Sequence, residues 1–492
     1  MNATAPGPSA DADPGRPALF ALHSLGSSAR EFDALRAELA DEIDVVGLDL
    51  PGFGDLSDAE GTAVGTDVDA MARSVVERIA TIAPARWMLL GHSMGGKIAT
   101  VVAARTLRGE TPLFGLAGVV LVASSPPSPE PMDEGRRLAM QGWAGAGAVS
   151  ELHARSFVLA DLADSDAADH DALPRPELDR ATDDVHRANP EAWRAWLDRG
   201  SQEDWSVAVS GSDFKSPLPV PALILAGAAD GDLDADAQRR LTAPHFAHAE
   251  VREIADAAHL IPIEQPAALA AEVRRFWRER AGLGPTVPSD FGRVLASART
   301  TSRTRAALAA RALADDPDYA PTVLDTEQLG RLRLLADHLV PQPGPAIDLA
   351  ARVDAQLATG VGDGWRPADA PSDPEAYRRG LDALADWARI PDADARGEAL
   401  DRLGDGDLEA WLEDAAVDLA RQWLAHPATM ALIGFDGVAT GGDTGRQSGF
   451  AELRADRAES WEPLPDPAVS SPGVQPPGIT NGASRSTTEA EA

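Results

Sequence analysis

The sequence contains no cysteine, and aromatic side chains make up only 5% of its 492 residues. Without cysteine the chain forms no disulfide bond, and thiolate catalysis and cysteine-ligated zinc or iron–sulfur sites are excluded. Long apolar runs are also missing, because no stretch approaches the roughly 20 residues that a membrane-spanning helix needs. Residues 1–14 lack the basic and apolar regions of a secretion signal. Together these absences predict a cytoplasmic location.

Basic residues are few as well. The chain has 44 of them against 78 acidic residues, a formal net charge of −34, and Lys97 and Lys215 are the only lysines. A surface of this charge repels the phosphates of nucleic acids and the headgroups of anionic membranes. We therefore expect binding to neither.

The most informative segment is the G-x-S-x-G pattern Gly91-His92-Ser93-Met94-Gly95. It follows the apolar run 87–90 and precedes a helix-competent stretch, 97–107. A strand that reverses into a helix through such a tight turn holds its serine in a strained conformation with the hydroxyl exposed. The alternative is a glycine-rich turn that contains a serine by chance. In its context, the pattern favours Ser93 as a nucleophile.

Short apolar runs recur through the first half of the chain and alternate with helical patterns. Such runs are typical of a parallel sheet that is covered on both faces. The predicted strands are residues 17–22, 44–49, 87–90, 118–123, 222–227 and 249–254. The predicted helices between and after them include 68–82, 235–241 and 267–280.

Two predicted strand ends carry the groups that a serine nucleophile requires. Its hydroxyl needs a base to take its proton, and the base needs an acid to orient it. Asp230 follows the strand 222–227, and His259 follows the strand 249–254. Asp232 is an alternative acid. Asp230 and His259 could each instead be an ordinary loop residue. The order Ser, Asp, His along the chain is that of α/β-hydrolases.

Residues 17–281 resemble the α/β-hydrolase-fold serine hydrolases. The resemblance rests on four motifs: His23-Ser24-Leu25-Gly26, the run 49–57, the serine motif 91–96, and Gly227 with Asp230 followed by His259. Two departures stand out. Ser24 occupies a position where the family usually has glycine, and the run 49–57 is one residue longer than usual before Ser57, so Ser57 is assigned no function.

The resemblance implies an enzyme that cleaves an ester, thioester or lactone through an acyl-enzyme. Ser93 would be the nucleophile, His259 the base and Asp230 its orienting acid. The backbone N–H groups of Met94 and Leu25 would bind the oxyanion.

Residues of about 126–216 interrupt the strand–helix alternation and predict a helical lid, with helices at 134–140, 148–162, 174–186 and 190–199. Its large aromatic side chains either line a substrate pocket or form the small core of the lid itself. They are Trp143, Phe157, Trp193, Trp196 and Trp205. Trp143 and Phe157 are the better pocket candidates, because they lie nearer the junction with the sheet.

The chain is too long for one core, so we expect two domains with disordered ends at 1–16 and 463–492. The α/β-hydrolase domain spans 17–283. A linker, 284–322, follows; it contains a helix-prone segment, 293–313, and few contacts are expected across it. A mainly α-helical domain then spans 323–462, with helices at 327–339, 347–357, 374–387 and 407–424 and with Thr326 as an N-cap. His338 and His426 lack partners at ligand spacing, and neither a metal site nor a cofactor is predicted.

The segments 334–342, 347–354, 426–430 and 433–437 resemble the gluconate 2-dehydrogenase subunit 3 family. Members are small helical subunits that accompany a flavin-containing sugar dehydrogenase. The resemblance implies that this region docks a flavin-dependent sugar or alcohol dehydrogenase. Because oxidation of a cyclic sugar yields a lactone, a lactone or sugar ester is the substrate hypothesis. The alternative is a non-catalytic accessory subunit with a vestigial hydrolase half.

Overall fold

The computed structural model describes residues 16–58, 66–144, 175–360, 371–404, 406, 408–435 and 437–443. These residues all belong to one compact unit. Phe157, the predicted helix 148–162 and the predicted disordered tail 463–492 lie outside the described residues, as do residues 1–15 of the predicted N-terminal segment.

A six-stranded, entirely parallel sheet organises the first half of the chain, in the order β2-β1-β3-β4-β5-β6. The strands are β1 Ala18–Leu22, β2 Asp44–Leu48, β3 Trp87–His92, β4 Leu116–Val122, β5 Ala222–Gly227 and β6 Ala249–Ile254. The four central strands are buried along their whole length. That burial accounts for their near-continuous apolar sequences, and the predicted sheet is confirmed.

Helices cover both faces of the sheet, and a separate hydrophobic cluster lies under each face. On one face α2 (Val68–Ile82) and α3 (Met94–Leu107) pack against the sheet. On the other face α1 (Asp33–Leu39) packs beside α10 (Pro266–Phe276). The further helices of this half are α4 Glu134–Trp143, α5 Arg175–Arg187, α6 Pro190–Asp198, α7 Ser206–Ser210, α8 Ala235–Leu241 and α9 Ile261–Glu264. This arrangement brings the carboxyl ends of β3, β5 and β6 to one edge, where polar loops follow.

The described part of the predicted lid consists of α4 to α7. Trp193 and Trp196 of α6 are buried in the cluster that also contains α3. The indole N–H of Trp193 donates to the carbonyl oxygen of Met140 at 2.9 Å. A Cβ at Gly26, whose φ is +77°, would collide with the ring of Trp193. These two tryptophans therefore join the lid to the sheet rather than lining open space.

Residues 284–322, the predicted linker, contain two helices that overlap its helix-prone segment 293–313: α11 (Ser289–Ala296) and α12 (Ser302–Ala312). Leu295 and Leu308 lie in the same hydrophobic cluster as β3, β4 and α3. Arg305 is 6% exposed, and its guanidinium donates to the carbonyl oxygens of Gly109 at 2.7 Å and Thr111 at 3.0 Å. The expected scarcity of contacts across this segment is corrected. The segment packs through few apolar residues, so its arginine- and alanine-rich composition does not reveal the contacts.

The region after residue 322 is helical and has a hydrophobic cluster of its own. Its helices are α13 Thr326–Leu339, α14 Leu349–Thr359, α15 Asp373–Ala383, α16 Ala393–Gly404, α17 Glu409–Leu424 and α18 Pro427–Leu432. The predicted helical character is confirmed, although the N-cap of α13 is Asp325, in a capping box with Gln328, and not Thr326. The boundaries of the two predicted domains stay predictions.

The last described residues return to the first half of the chain. Val438 lies in the cluster under the sheet, and the N–H of Gly442 donates to the carbonyl oxygen of Arg299 at 2.8 Å. The carboxylate of Asp443 accepts hydrogen bonds from the backbone and hydroxyl of Ser302 at 3.0 and 2.9 Å. Across the described ranges, no helix combines the length and apolar character needed to cross a membrane.

Candidate active site

Ser93 occupies the sharp turn between β3 and α3, with φ 50° and ψ −117°. This left-handed conformation is strained for a residue with a side chain. It persists because glycines flank it: a Cβ at Gly91 would collide with the carbonyl of Gly95, and one at Gly95 with the carbonyl of Leu22. The N–H of Ser93 donates to the carbonyl oxygen of Val122 at 3.0 Å. The turn is therefore over-determined by packing and hydrogen bonding, as a nucleophile elbow requires.

The side chains of Ser93, His259 and Asp230 form one hydrogen-bonded chain. His259 Nε2 lies 2.9 Å from Ser93 Oγ, and its Nδ1 lies 2.9 Å from Asp230 Oδ2. Because a carboxylate only accepts, Nδ1 carries the proton toward Asp230 and leaves Nε2 to accept from the serine hydroxyl. The structure thus brings together three residues that are 29 and 166 positions apart in the sequence.

Asp230, and not the alternative Asp232, is the carboxylate in contact with His259. Its second oxygen, Oδ1, accepts hydrogen bonds from the backbone N–H groups of Asp232 at 3.0 Å and Leu233 at 3.1 Å. Asp232 instead forms an ion pair with Arg136 of α4. Asp232 therefore joins the acid loop to the lid, while its backbone helps to fix Asp230.

Asp230 and His259 each stabilise the charged form of the other. Burial raises the pKa of Asp230, but the charge and hydrogen bond of His259 and the two backbone donors outweigh it and hold the pKa well below its usual range. Burial lowers the pKa of His259, but the charge and hydrogen bond of Asp230 outweigh it and leave the pKa above its usual value. Asp230 is therefore ionised at neutral pH and favours the imidazolium that a proton transfer from Ser93 would create.

Hydrogen bonds hold the loop after β1, which carries Leu25, in place. His23 Nδ1 donates to the carbonyl oxygen of Ser24 at 2.7 Å, while its Nε2 accepts from the N–H of Leu50 at 3.0 Å. The N–H of Ser24 donates to Glu31 Oε2 at 2.9 Å. The other predicted oxyanion donor, Met94, is the first residue of α3, at the positive end of the helix dipole. The loop is thus fixed even with serine in place of glycine.

Of the two predicted pocket residues, Trp143 and Phe157, the structure describes only Trp143. Trp143 is the last residue of α4, is partly buried and packs against the cluster under the sheet. Phe157 lies outside the described residues. Among the residues that the structure describes, no three His, Asp or Glu side chains converge closely enough to hold a metal ion.

Lys97, the fourth residue of α3, anchors the segment after α6 of the predicted lid, a contact that the sequence did not reveal. Its ammonium group is buried and donates to the carbonyl oxygens of Gly200, Ser201 and Glu203 at 3.2, 2.8 and 3.0 Å. Burial lowers the pKa of Lys97 to about 8, against the opposing effect of nearby carboxylates. A lysine in the first turn of a mostly apolar helix, in a chain with two lysines, was the available signal.

Glu130 was also missed. It accepts a hydrogen bond from Ser125 Oγ at 2.6 Å, and the N–H of Ser125 in turn donates to the carbonyl oxygen of Ser93 at 3.0 Å. Burial raises the pKa of Glu130 despite that hydrogen bond and the charges of Lys97 and His259. No feature of its proline-rich surroundings in the sequence pointed to this position.

Residues 19–272, more than half of the chain, match the model of the alpha/beta hydrolase family. The chain therefore belongs to that family and is an α/β-fold hydrolase. The biotin biosynthesis bifunctional protein of Teredinibacter turnerae is 38% identical over 100 residues, which are 20% of this chain and 16% of that protein. The pimeloyl-[acyl-carrier protein] methyl ester esterase of Klebsiella pneumoniae is 34% identical over 108 residues, 22% of this chain and 37% of that protein. The matches thus span well under half the length of these curated relatives.

Solved structures resemble about half of the chain. A bromoperoxidase from Bacillus anthracis has a TM-score of 0.45 at 16% identity, covering 54% of this chain and 92% of that one. An enol-lactonase from Burkholderia xenovorans LB400 has a TM-score of 0.43 at 22% identity, with coverage of 54% and 92%.

Proposed function

We propose that the chain is a serine hydrolase that cleaves a carboxylic ester, thioester or lactone through an acyl-enzyme. The observation that carries the proposal is the hydrogen-bonded chain from Ser93 through His259 to Asp230, with both links at 2.9 Å. The strained backbone of Ser93 adds support, because strain of this kind is kept where it serves chemistry. A relative that is a methyl ester esterase supports the same reaction class.

In the proposed reaction, His259 Nε2 takes the hydroxyl proton as Ser93 Oγ attacks the substrate carbonyl carbon. The N–H groups of Met94 and Leu25 stabilise the oxyanion, and Asp230 stabilises the imidazolium. Collapse breaks the bond to the leaving alcohol or thiol, which takes the proton from His259 and leaves the acyl group on Ser93. Water, deprotonated by His259, then releases the acid and restores the hydroxyl.

The lid supplies the proposed substrate pocket. Trp143 and Phe157 are its proposed apolar contacts, and the ion pair between Arg136 and Asp232 connects the lid helix α4 to the acid loop. Opening of that connection would admit substrate beside His259.

Hydrolysis of a panel of p-nitrophenyl esters, acyl thioesters and aldonolactones tests the proposal. We expect the wild-type protein to turn over at least one class, and Ser93→Ala and His259→Ala to reduce kcat by about 10³-fold or more. Ser289→Ala, an exposed serine at the start of α11, is the matched control and should leave kcat unchanged. Failure on every class, or equal rates for Ser93→Ala and wild type, would contradict the proposal and favour the accessory role.

We further propose that the helical region docks a flavin-dependent sugar or alcohol dehydrogenase and that the substrate is the lactone that such an enzyme releases. In support, this region has its own hydrophobic cluster. It also exposes four large apolar side chains near its end, Leu424, Leu432, Ile433 and Phe435. Tethering would raise the lactone concentration near Ser93, which can reach the millimolar range for a short linker.

Affinity capture with the full chain, with flavin absorbance and mass spectrometry as readouts, tests the docking. We expect a flavoprotein dehydrogenase with wild type and much less with Leu432→Asp/Phe435→Asp. Capture of no flavoprotein, together with aldonolactone opening no faster than in buffer, would contradict this part alone.

A further inference from the structure

His92, directly before the nucleophile, forms a fully buried pair with Glu31. Both side chains are 0% exposed, and His92 Nδ1 contacts Glu31 Oε1. On the other side of the ring, His92 Nε2 lies 2.7 Å from the main-chain carbonyl oxygen of His259. Because a carbonyl only accepts, Nε2 must carry a proton. His92 therefore donates to the backbone of the residue proposed as the base.

Glu31 extends the same network to the loop that carries Leu25. Its Oε2 accepts hydrogen bonds from the N–H of Ser24 at 2.9 Å and from the Ser24 hydroxyl at 3.3 Å. Burial raises the pKa of Glu31, but His92 and the Ser24 amide outweigh it and leave the pKa below its usual value. Glu31 is therefore a carboxylate, and both ring nitrogens of His92 face acceptors. Ser24, the serine that departs from the family pattern, therefore donates hydrogen bonds to Glu31.

Stability alone is a weak reason for this pair. Removing two ionisable groups from water is costly, and well-packed apolar side chains often replace buried ion pairs without loss of stability. The pair instead connects three segments that catalysis needs in register: the Ser24 loop, the strand end before Ser93 and the loop of His259. A displacement of about 1 Å at such a site can cost about 10²-fold in rate.

We infer that Glu31 and His92 form a positioning pair that holds the backbone of His259 and the Ser24–Leu25 loop against the nucleophile turn. The inference rests on the proposed hydrolase function. Neither side chain touches the reacting atoms, so both act through His259 and the loop. The hydrogen bond from His92 Nε2 to the His259 carbonyl is the link that matters most, since it fixes the ring whose Nε2 faces Ser93 Oγ.

A matched pair of substitutions separates this hydrogen bond from simple filling of space. The amide nitrogen of His92→Gln can reach the place of Nε2, whereas the shorter His92→Asn cannot. We expect His92→Asn to lower kcat by about 10–100-fold with little change in KM, and His92→Gln to recover most of the rate. Glu31→Gln, whose amide can accept from Ser24 and donate to His92 Nδ1, should resemble His92→Gln, and Glu31→Ala should resemble His92→Asn.

A second readout needs no turnover. In Ser93→Ala protein, the proton of His259 Nδ1 in its bond to Asp230 should give a downfield NMR resonance. We expect that resonance to persist with His92→Gln and to shift or broaden with His92→Asn. Equal kcat for the Asn and Gln variants with an unchanged resonance would overturn the inference while wild-type hydrolysis left the proposed function intact. If wild type hydrolysed nothing, the proposed function would fail and the resonance alone would decide the inference.

Discussion

Asp230 Oδ2 lies 2.9 Å from His259 Nδ1, while Oδ1 of the same carboxylate receives the backbone N–H groups of residues 232 and 233. Three donors thus hold the carboxylate in its charged state and in one orientation. Asp232, two residues away, directs its own carboxylate to Arg136.

The two aspartates should therefore respond very differently to the same substitution. We expect Asp230→Asn to lower kcat by about 10³–10⁴-fold, because an amide neither holds the required tautomer of His259 nor stabilises its imidazolium. Asp232→Asn keeps the backbone donor and should change kcat by less than about tenfold. Ester hydrolysis measured for both variants checks this, and a larger loss in Asp232→Asn would show that the acid is misassigned.

The raised pKa of His259 predicts a specific pH dependence. Only the neutral imidazole can take the Ser93 proton, so kcat/KM should rise with pH through the pKa of His259 in the free protein. Because Asp230, Glu130 and Asp232 together raise that pKa, the midpoint should lie above the ordinary histidine value of about 6.5. Asp232→Asn removes one negative charge and should move the midpoint downward. A pH–rate profile with its midpoint below about 6 would contradict the electrostatics described for the site.

Lys97 should stabilise the lid. Lys97→Met leaves three carbonyl oxygens near the end of α6 without their donor, which should cost about 2 kcal/mol or more of unfolding free energy. Thermal unfolding measures the loss, and a higher KM would report the loosened lid. The other lysine of the chain is the natural control: Lys215 has a side chain that is 76% exposed, and Lys215→Met should change stability by less than about 0.5 kcal/mol. Equal stability of the two variants would show that Lys97 does not anchor the lid.

Truncation tests where the hydrolase core ends. A chain ending at Gly284 loses Leu295, Leu308 and the Arg305 donors that satisfy Gly109 and Thr111. We expect it to unfold at a lower temperature than a chain ending at Leu313, which keeps α11 and α12. Thermal unfolding and ester hydrolysis of both chains provide the comparison. If the shorter chain matches the longer one in both, α11 and α12 are dispensable and the segment is a linker after all.

Local features of the chain were predictable from sequence. Each strand of the sheet is a short apolar run, and the Ser93 turn is specified by residues within two positions of it, so no long-range contact is needed to recognise either. Helices such as Val68–Ile82 follow from periodicity in the same way.

Contacts between distant segments that no recognisable motif marks were not predictable. The pair of Glu31 and His92 joins positions 61 apart, and no periodicity connects them. The resemblance implied Asp230 rather than Asp232 as the acid, but only the direction of each side chain within one turn, which backbone hydrogen bonds set, decides between them. Arg305 looks like a surface arginine until the carbonyl groups that it satisfies are known. In each case the deciding interaction exists only in the folded chain.

Covalent labelling of the full chain with a serine-directed fluorophosphonate tests the central claim most directly. The reagent forms a stable phosphonyl ester only with an activated hydroxyl, so intact-mass analysis should show one adduct, and peptide mapping should place it on Ser93. Ser93→Ala and His259→Ala should remain unlabelled, while Ser289→Ala labels as wild type does. An unlabelled wild-type protein, or an adduct that persists in Ser93→Ala, would contradict the assignment of Ser93 as the nucleophile.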